Sequence, residues 1–265
     1  MTQQRHKSDA RILDARTLDA DFPALVPWLR PGLRVLDVGC GTGAITEGMA
    51  HRVGPSGRVV GIDHDAQHID WASTRGPAMP WLQFQVGDIL ELPFHAEFDV
   101  VAVARTLQWV ARDQLGVALA ALARALVCGG QFVALDYNHA GHRWTPSPPP
   151  ELPGFVERFR AWREANAWDS DVLSVVTVLC GEAGLGSPHL TNADVVIRRG
   201  DAGFAVMSRI WPRVIETLGP RIAGDGFLAE ADCQRALDVT ARWCDDKLME
   251  QTMAARVLTT TRQTE

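Results

Sequence analysis

The sequence predicts an α/β domain built on a mainly parallel sheet. Three observations lead there. Five short apolar runs alternate with helix-like stretches between Arg34 and Tyr137; the first run ends in a glycine-rich turn; and acidic residues stand at the ends of the next two runs. Strands separated by helices imply right-handed βαβ units and parallel pairing.

The strand-like runs are Arg34–Val38, Arg58–Asp63, Leu82–Val86, Phe98–Ala104 and Gln131–Tyr137. The helical candidates are Ala44–Val53, Asp65–Thr74 and Arg112–Leu126, the last stopping at Gly129-Gly130 as a helix C-terminus. Residues 1–30 are expected to form an N-terminal helical segment, and 31–138 the core. Pro146-Ser147-Pro148-Pro149-Pro150 reads as a rigid, extended connector. Helices are expected at Leu152–Asn166, Asp171–Glu182, Phe204–Leu218 and Ala229–Lys247, with Pro212 kinking or breaking the third. Leu190–Arg198 and Gln251–Arg262 read as late strands. Residues 139–265 should therefore supply helical substrate caps, from Pro146 to Gly186 and from Arg199 to Leu248, plus the last two strands of the same sheet.

Composition narrows the function. The 265 residues suffice for one large domain or one domain with an insertion, and 46% are hydrophobic, enough for a packed core. The net charge of −6 has no basic stripe to offset it, which argues against a nucleic-acid partner. No apolar run approaches the ~18–20 residues that span a bilayer, so no membrane partner is expected. Met1–Arg11 is polar and lacks a signal-peptide core, which points to the cytoplasm. Five scattered cysteines with no CxxC pair argue against a disulfide framework, a zinc site or an iron–sulfur cluster. Oligomeric state is left open.

The central motif is Val35-Leu36-Asp37-Val38-Gly39-Cys40-Gly41-Thr42-Gly43, an apolar strand entering a glycine turn that opens a helix. By itself, Gly39-x-Gly41-x-x-Ala44 also fits a nicotinamide dinucleotide fingerprint. Asp63 follows Gly43 by 20 positions, ends the next strand, and suits a ribose diol. Gly87-Asp88-Ile89 then places an acid and an apolar residue where they can hold an adenine amino group and ring face. Phe98-Asp99-Val100-Val101 leads on to Leu107-Gln108-Trp109-Val110.

These four ordered motifs resemble class I S-adenosylmethionine-dependent methyltransferases, of the small-molecule type that includes the ubiquinone/menaquinone, malonyl-carrier and trans-aconitate enzymes. The resemblance covers roughly Gly32 to Tyr137. It implies a Rossmann-like seven-stranded sheet of order 3-2-1-4-5-7-6 with the last strand antiparallel, plus helical cap insertions. It implies S-adenosyl-L-methionine as cofactor and a small-molecule methyl acceptor as partner. Carried over residue by residue, Asp37, Gly39, Cys40, Gly41 and Gly43 correspond to the loop around the methionine part. Asp63 corresponds to the ribose acid, Asp88 and Ile89 to the adenine contacts, and Arg105 to the strand end near the sulfonium. His64 stands where the family usually has an aliphatic residue against adenine.

Methyl transfer needs binding, in-line alignment and exclusion of water rather than a metal or a triad. The acceptor should lie beyond the ends of the fourth and fifth strands. There His139, with an ordinary pKa near about 6.5, is a candidate general base or a solvated loop residue, and Tyr137 a candidate contact. Trp109, Asn138 and Trp144 are candidate substrate contacts, the tryptophans either walling an acceptor or filling a helical core. His139 and His142 have no third ligand, so no metal is expected. Two other readings stay open: a non-catalytic regulator or partner subunit on the same fold, and an NAD-dependent oxidoreductase. The latter lacks a Tyr-x-x-x-Lys pair, because Ala140 follows the only tyrosine by three.

Overall fold

The computed structural model describes residues 10–263. The reading of the first nine residues lies outside them. The chain divides into two compact units: the first takes in the chain up to Asp136, Val172–Thr191 and the chain from Arg256, and the second Tyr137–Asp171 and Asn192–Ala255.

The first unit is a sheet flanked by helices. Its strands are β1 (Arg34–Val38), β2 (Arg58–Asp63), β3 (Leu82–Val86), β4 (Phe98–Ala104), β5 (Leu126–Tyr137), β7 (His189–Asn192) and β10 (Ala255–Thr261). Their order is β3-β2-β1-β4-β5-β10-β7. Numbered within this sheet alone, that is the 3-2-1-4-5-7-6 order expected of a Rossmann-like methyltransferase fold. β1 pairs in parallel with β2 and β4, in a register that sets Val35 beside Val59 and Val100. β10 is antiparallel, as the paired bonds Gly129 N–H to Arg262 and Arg262 N–H to Gly130 require.

Val35, Leu36 and Val38 are almost wholly buried, which explains why β1 reads as a continuous apolar run rather than an alternating one. Helices α3 (Ala44–Val53), α4 (Ala66–Ser73) and α5 (Leu115–Ala125) fill the crossovers. α4 starts where the Asp65 carboxylate accepts the Gln67 N–H at 2.9 Å. Ahead of β1 lie α1 (Ala10–Asp14), α2 (Leu18–Asp21) and a tight helical turn at Pro23–Trp28.

Several boundaries differ from expectation. Gly129-Gly130 do not end a helix: α5 stops at Ala125, and both glycines lie in β5, bonded to Arg262. The helix expected at Asp171–Glu182 is α7 (Val172–Leu179), and Val172, Leu173 and Val176 join the core formed by Leu115, Leu119 and Leu122 of α5. It therefore belongs to the first unit, not to a cap. Each late strand is also two strands. Leu190–Arg198 divides into β7 and β8 (Val195–Arg198), and Gln251–Arg262 into β9 (Glu250–Met253) and β10. The breaks fall at Ala193-Asp194 and Ala254, and each half serves a different sheet.

The second unit holds that smaller sheet, β6 (Arg143–Thr145), β9 and β8, all antiparallel. Its helices are α6 (Glu151–Ala165), α8 (Phe204–Met207), α9 (Ile210–Gly224) and α10 (Glu230–Asp246). Pro212 does not kink a long helix. The chain breaks before Ile210, and Pro212 sits in the first turn of α9, where a missing N–H costs no helical bond. Trp162, Trp211, Phe155 and Phe159 are almost wholly buried and form the centre of this unit. Among the described residues no helix is long and apolar enough to cross a membrane.

Candidate cofactor site

The turn after β1 is tied to β2 by two bonds, from the Gly39 and Cys40 N–H groups to the Ile62 carbonyl at 2.7 and 2.9 Å. Gly39, Gly41 and Gly43 all have φ between +54° and +80°, a region closed to most side chains. Each also faces protein closely. A Cβ on Gly39 would meet the Thr106 hydroxyl at 2.0 Å, one on Gly41 the Leu13 side chain at 2.8 Å, and one on Gly43 the Phe84 ring at 2.6 Å. The glycines thus let the turn fold tightly among Thr106, Leu13 and Phe84.

Asp63, at the end of β2, is fastened to this turn. One carboxylate oxygen accepts the Gly41 N–H at 2.8 Å and the other the Asp65 N–H at 2.9 Å. His64 and His68 bring Nδ1 within 3.4 and 3.7 Å of the latter oxygen. Burial pushes the Asp63 acid up, but His68, the Asp65 and Gly41 N–H groups and His64 outweigh it and hold the group below the usual carboxylate range. Asp63 is therefore an anchored anion, and a carboxylate with about four acceptor positions keeps capacity for a diol.

Asp37 behaves oppositely. It is buried and accepts the Thr46 hydroxyl at 2.6 Å. Burial, opposed by that bond and reinforced by the Asp63 charge, pushes its acid up to about 7. Burial, with the charges of Asp37 and Asp63, also raises the Cys40 thiol, so Cys40 is a protonated filler. Asp88 accepts the Leu90 N–H at 3.0 Å, and Ile89 is half-buried against the core. His64 is 39% exposed.

Arg105 has φ +56° and donates to the Asp21 carbonyl at 3.0 Å, holding the end of α2. Gln108, which sequence reasoning passed over, donates its N–H to buried Asp136 at 3.1 Å and its amide to the Arg105 carbonyl at 3.2 Å. This braces the β4 end against β5. Trp109 is half-buried beside it.

The remaining candidates lie in the second unit. His142 Nδ1 accepts the Ala254 N–H at 2.9 Å. A backbone N–H can only donate, so the His142 proton sits on Nε2, which faces His139 Nδ1 at 3.4 Å. The His139 proton is then on Nε2 as well. Burial first, then Arg163, His142 and Arg160, depress His139 well below its usual value; burial lowers His142 to about 4, against a small opposing pull from Asp194. Two neutral imidazoles thus form a directed chain. Tyr137 and Phe159 lie against His139, and Trp211 against His142. Trp144 packs on Trp211 and donates to Gln251 at 3.1 Å, while Asn138 accepts the Ala140 N–H at 3.1 Å.

A family model described as a methyltransferase domain matches residues 35–130. The 2-phytyl-1,4-naphtoquinone methyltransferase of Thermosynechococcus vestitus is 37% identical over 117 residues, 43% of this chain and 51% of that protein. The chain thus spans about half the length of that relative. The trans-aconitate 2-methyltransferase of Deinococcus radiodurans is 36% identical over 192 residues, 71% of this chain and 69% of that protein.

The chain belongs to the class I S-adenosylmethionine-dependent methyltransferase family.

Solved structures agree at the level of fold. The YcgJ protein of Bacillus subtilis matches with a TM-score of 0.57 at 17% identity, covering 92% of this chain and 98% of that one. A Haemonchus contortus phosphoethanolamine N-methyltransferase 2, solved with S-adenosyl-L-methionine, matches with a TM-score of 0.57 at 15% identity, covering 91% of this chain and 52% of that one. The family's cofactor is S-adenosylmethionine, and the donor set at the end of β2 suits it. Asp63 is held ionised, as an acceptor for ribose hydroxyls must be.

Proposed function

We propose that the protein moves the methyl group of S-adenosylmethionine to a small-molecule acceptor by in-line displacement. The observation that carries this reading is the ionised Asp63 bonded to the Gly41 N–H at the carboxyl ends of β1 and β2, the position where open α/β sheets bind ligands. The relatives' names support the acceptor class, since they specify a naphtoquinone and trans-aconitate.

In this reading the Gly39–Gly43 turn, with Asp37 and Cys40 beneath it, faces the methionine part. Asp63 and His64 face the ribose, and Asp88 and Ile89 the adenine. Arg105, which holds α2, stands at the β4 end near the sulfonium. When bound, the cofactor supplies a methyl already activated on a cationic sulfur. The chain's own residues have to bind, orient and keep water out. Tyr137, Asn138, His139, Trp109 and Trp144 are the proposed acceptor contacts. His139, neutral and protonated on Nε2, serves as a hydrogen-bond donor in this arrangement; its basic lone pair is on Nδ1, which faces His142, so a base role toward an acceptor on the Nε2 side needs the other tautomer. The proposed setting is the cytoplasm, with residues 31–138, α7, β7 and β10 as cofactor core and the remaining later helices as substrate cap.

The test is methyl transfer from methyl-labelled S-adenosylmethionine to a panel of small carboxylates, phenols, amines and quinols, with RNA and DNA alongside. Label on a small molecule alone is expected. Label on nucleic acid contradicts the acceptor class, and cofactor binding without transfer to any acceptor favours the non-catalytic reading.

A further inference from the structure

The Arg75 side chain, just beyond α4, joins three elements of the first unit. Its Nε donates to the Thr42 carbonyl in the glycine turn at 3.0 Å. One terminal nitrogen pairs with Glu47 of α3 and the other with Asp14 of α1. The Arg75 side chain is 19% exposed, so these bonds are partly shielded from water, and its planar fork suits two carboxylates at once.

Among the described residues α1 is Ala10–Asp14, and side-chain contacts hold its C-terminal end. Leu13 packs on Gly41, and Asp14 meets Arg75. Further along, Asp19 pairs with Arg52 of α3 at 2.6 Å, and the Asp21 carbonyl accepts from Arg105. The other flanks of the turn are already closed, by Thr106 at Gly39 and by Phe84 and Ala72 at Gly43. α1 therefore covers the turn at Gly41.

We propose that Arg75 is a positioning residue for the cofactor: it clamps α1 onto the glycine turn, so that α1 must lift for the cofactor to enter and Arg75 sets how slowly it leaves. This rests on reading the turn as the cofactor cradle. Glu47 and Thr42 fix the guanidinium to the body of the unit, and Asp14 is the part that lets go. A brace that served the fold alone would act through Glu47 and Thr42 and leave Asp14 without effect on ligand release.

The test measures the affinity and dissociation rate of S-adenosylhomocysteine on the full chain for Arg75→Gln, Asp14→Asn and the double variant, with Asp63→Ala as control. Each single variant is expected to release the ligand about tenfold faster, the scale of one charge-assisted hydrogen bond. The double variant should be no faster than Arg75→Gln. Amide exchange at Ala10–Asp14 should slow on ligand binding in the wild type and not in Asp14→Asn. Because Asp14→Asn leaves Arg75, Glu47 and Thr42 joined, it keeps the test open if Arg75→Gln folds poorly. Wild-type release from Asp14→Asn, or additive effects in the double variant, overturns the clamp. If Asp63→Ala weakens binding while Asp14→Asn does not, only the clamp fails. If Asp63→Ala binds like the wild type, or the wild type does not bind, the cradle reading fails and the clamp with it.

Discussion

The two units solve the problem of burying polar groups in opposite ways. In the first, carboxylates are buried around a glycine turn and satisfied locally: Asp63 by backbone N–H groups of Gly41 and Asp65, Asp37 by Thr46. In the second, imidazoles are buried in an aromatic core and satisfied at long range, His142 by the Ala254 N–H, which lies 112 positions away. The first arrangement is built for a ligand that brings hydroxyl groups. The second is an aromatic core in which two imidazoles stay neutral beside the buried Arg163 guanidinium. The difference teaches where chemistry sits in such a chain: a charged acceptor is held ready at β2, while His139 and His142 are themselves kept neutral.

The comparison can be broken or sharpened by substitution, the largest effect coming from the aromatic core. Trp211→Ala should cost about 3–5 kcal/mol, measured by chemical denaturation, because its ring contacts His142, Trp144 and Phe159. A loss under 1 kcal/mol would mean that the second unit is not organised around that ring. In the first unit, Gly39→Ala should cost about 2–4 kcal/mol, combining a positive φ with a clash on Thr106. Thr106→Ala should recover part of it.

The pH dependence should separate the units by sign. His139 and His142 are depressed in the fold, so below about 6.5 the unfolded chain binds more protons. The stability they support is present above that pH and is lost as pH falls toward the His142 value of about 4. For His142 alone the loss by pH 4 should be about 3 kcal/mol. Asp37 is raised to about 7, so its contribution is complete below the unfolded carboxyl value and is lost as pH rises through about 7. Segment-resolved amide exchange, corrected for intrinsic rates, should show the His139–His142 region loosening at pH 5 and the β1 end loosening toward pH 7. Equal trends in both would remove the distinction. The smallest effect is Thr46→Val, which removes the donor to Asp37 and should cost about 1 kcal/mol in a denaturation midpoint.

The sequence made the first unit legible because its signals are local. β1 to β4 were read at the bounds the structure shows, since each is an apolar run closed by a turn within five to seven residues. The turn and Asp63 were legible for the same reason. Arg75 was not, because its three partners come from positions 14, 42 and 47 and share no spacing signal. The split of the late strands was hidden as well. Leu190–Arg198 has apolar residues at Leu190 and Val195–Ile197, and only Ala193-Asp194 between them marks where the chain leaves one sheet for another. The tryptophans of the second unit show the limit of composition. Trp162, Trp168 and Trp211 are at most 3% exposed, so their number reports a small core that needs bulk before it reports a ligand. Gly141 carried the one local trace of the His142 arrangement, since a Cβ there would meet Ala254 at 2.8 Å.

The central claim is that Asp63 and the glycine turn form a cofactor site. Calorimetric titration with S-adenosylhomocysteine, using wild type and Asp63→Ala with NADH alongside, tests it most directly. The account predicts saturable binding to the wild type, about 100-fold weaker in the variant through loss of charge-assisted hydrogen bonds, and no heat with NADH. Equal affinity in both proteins, or binding of NADH in place of the homocysteine, would contradict it.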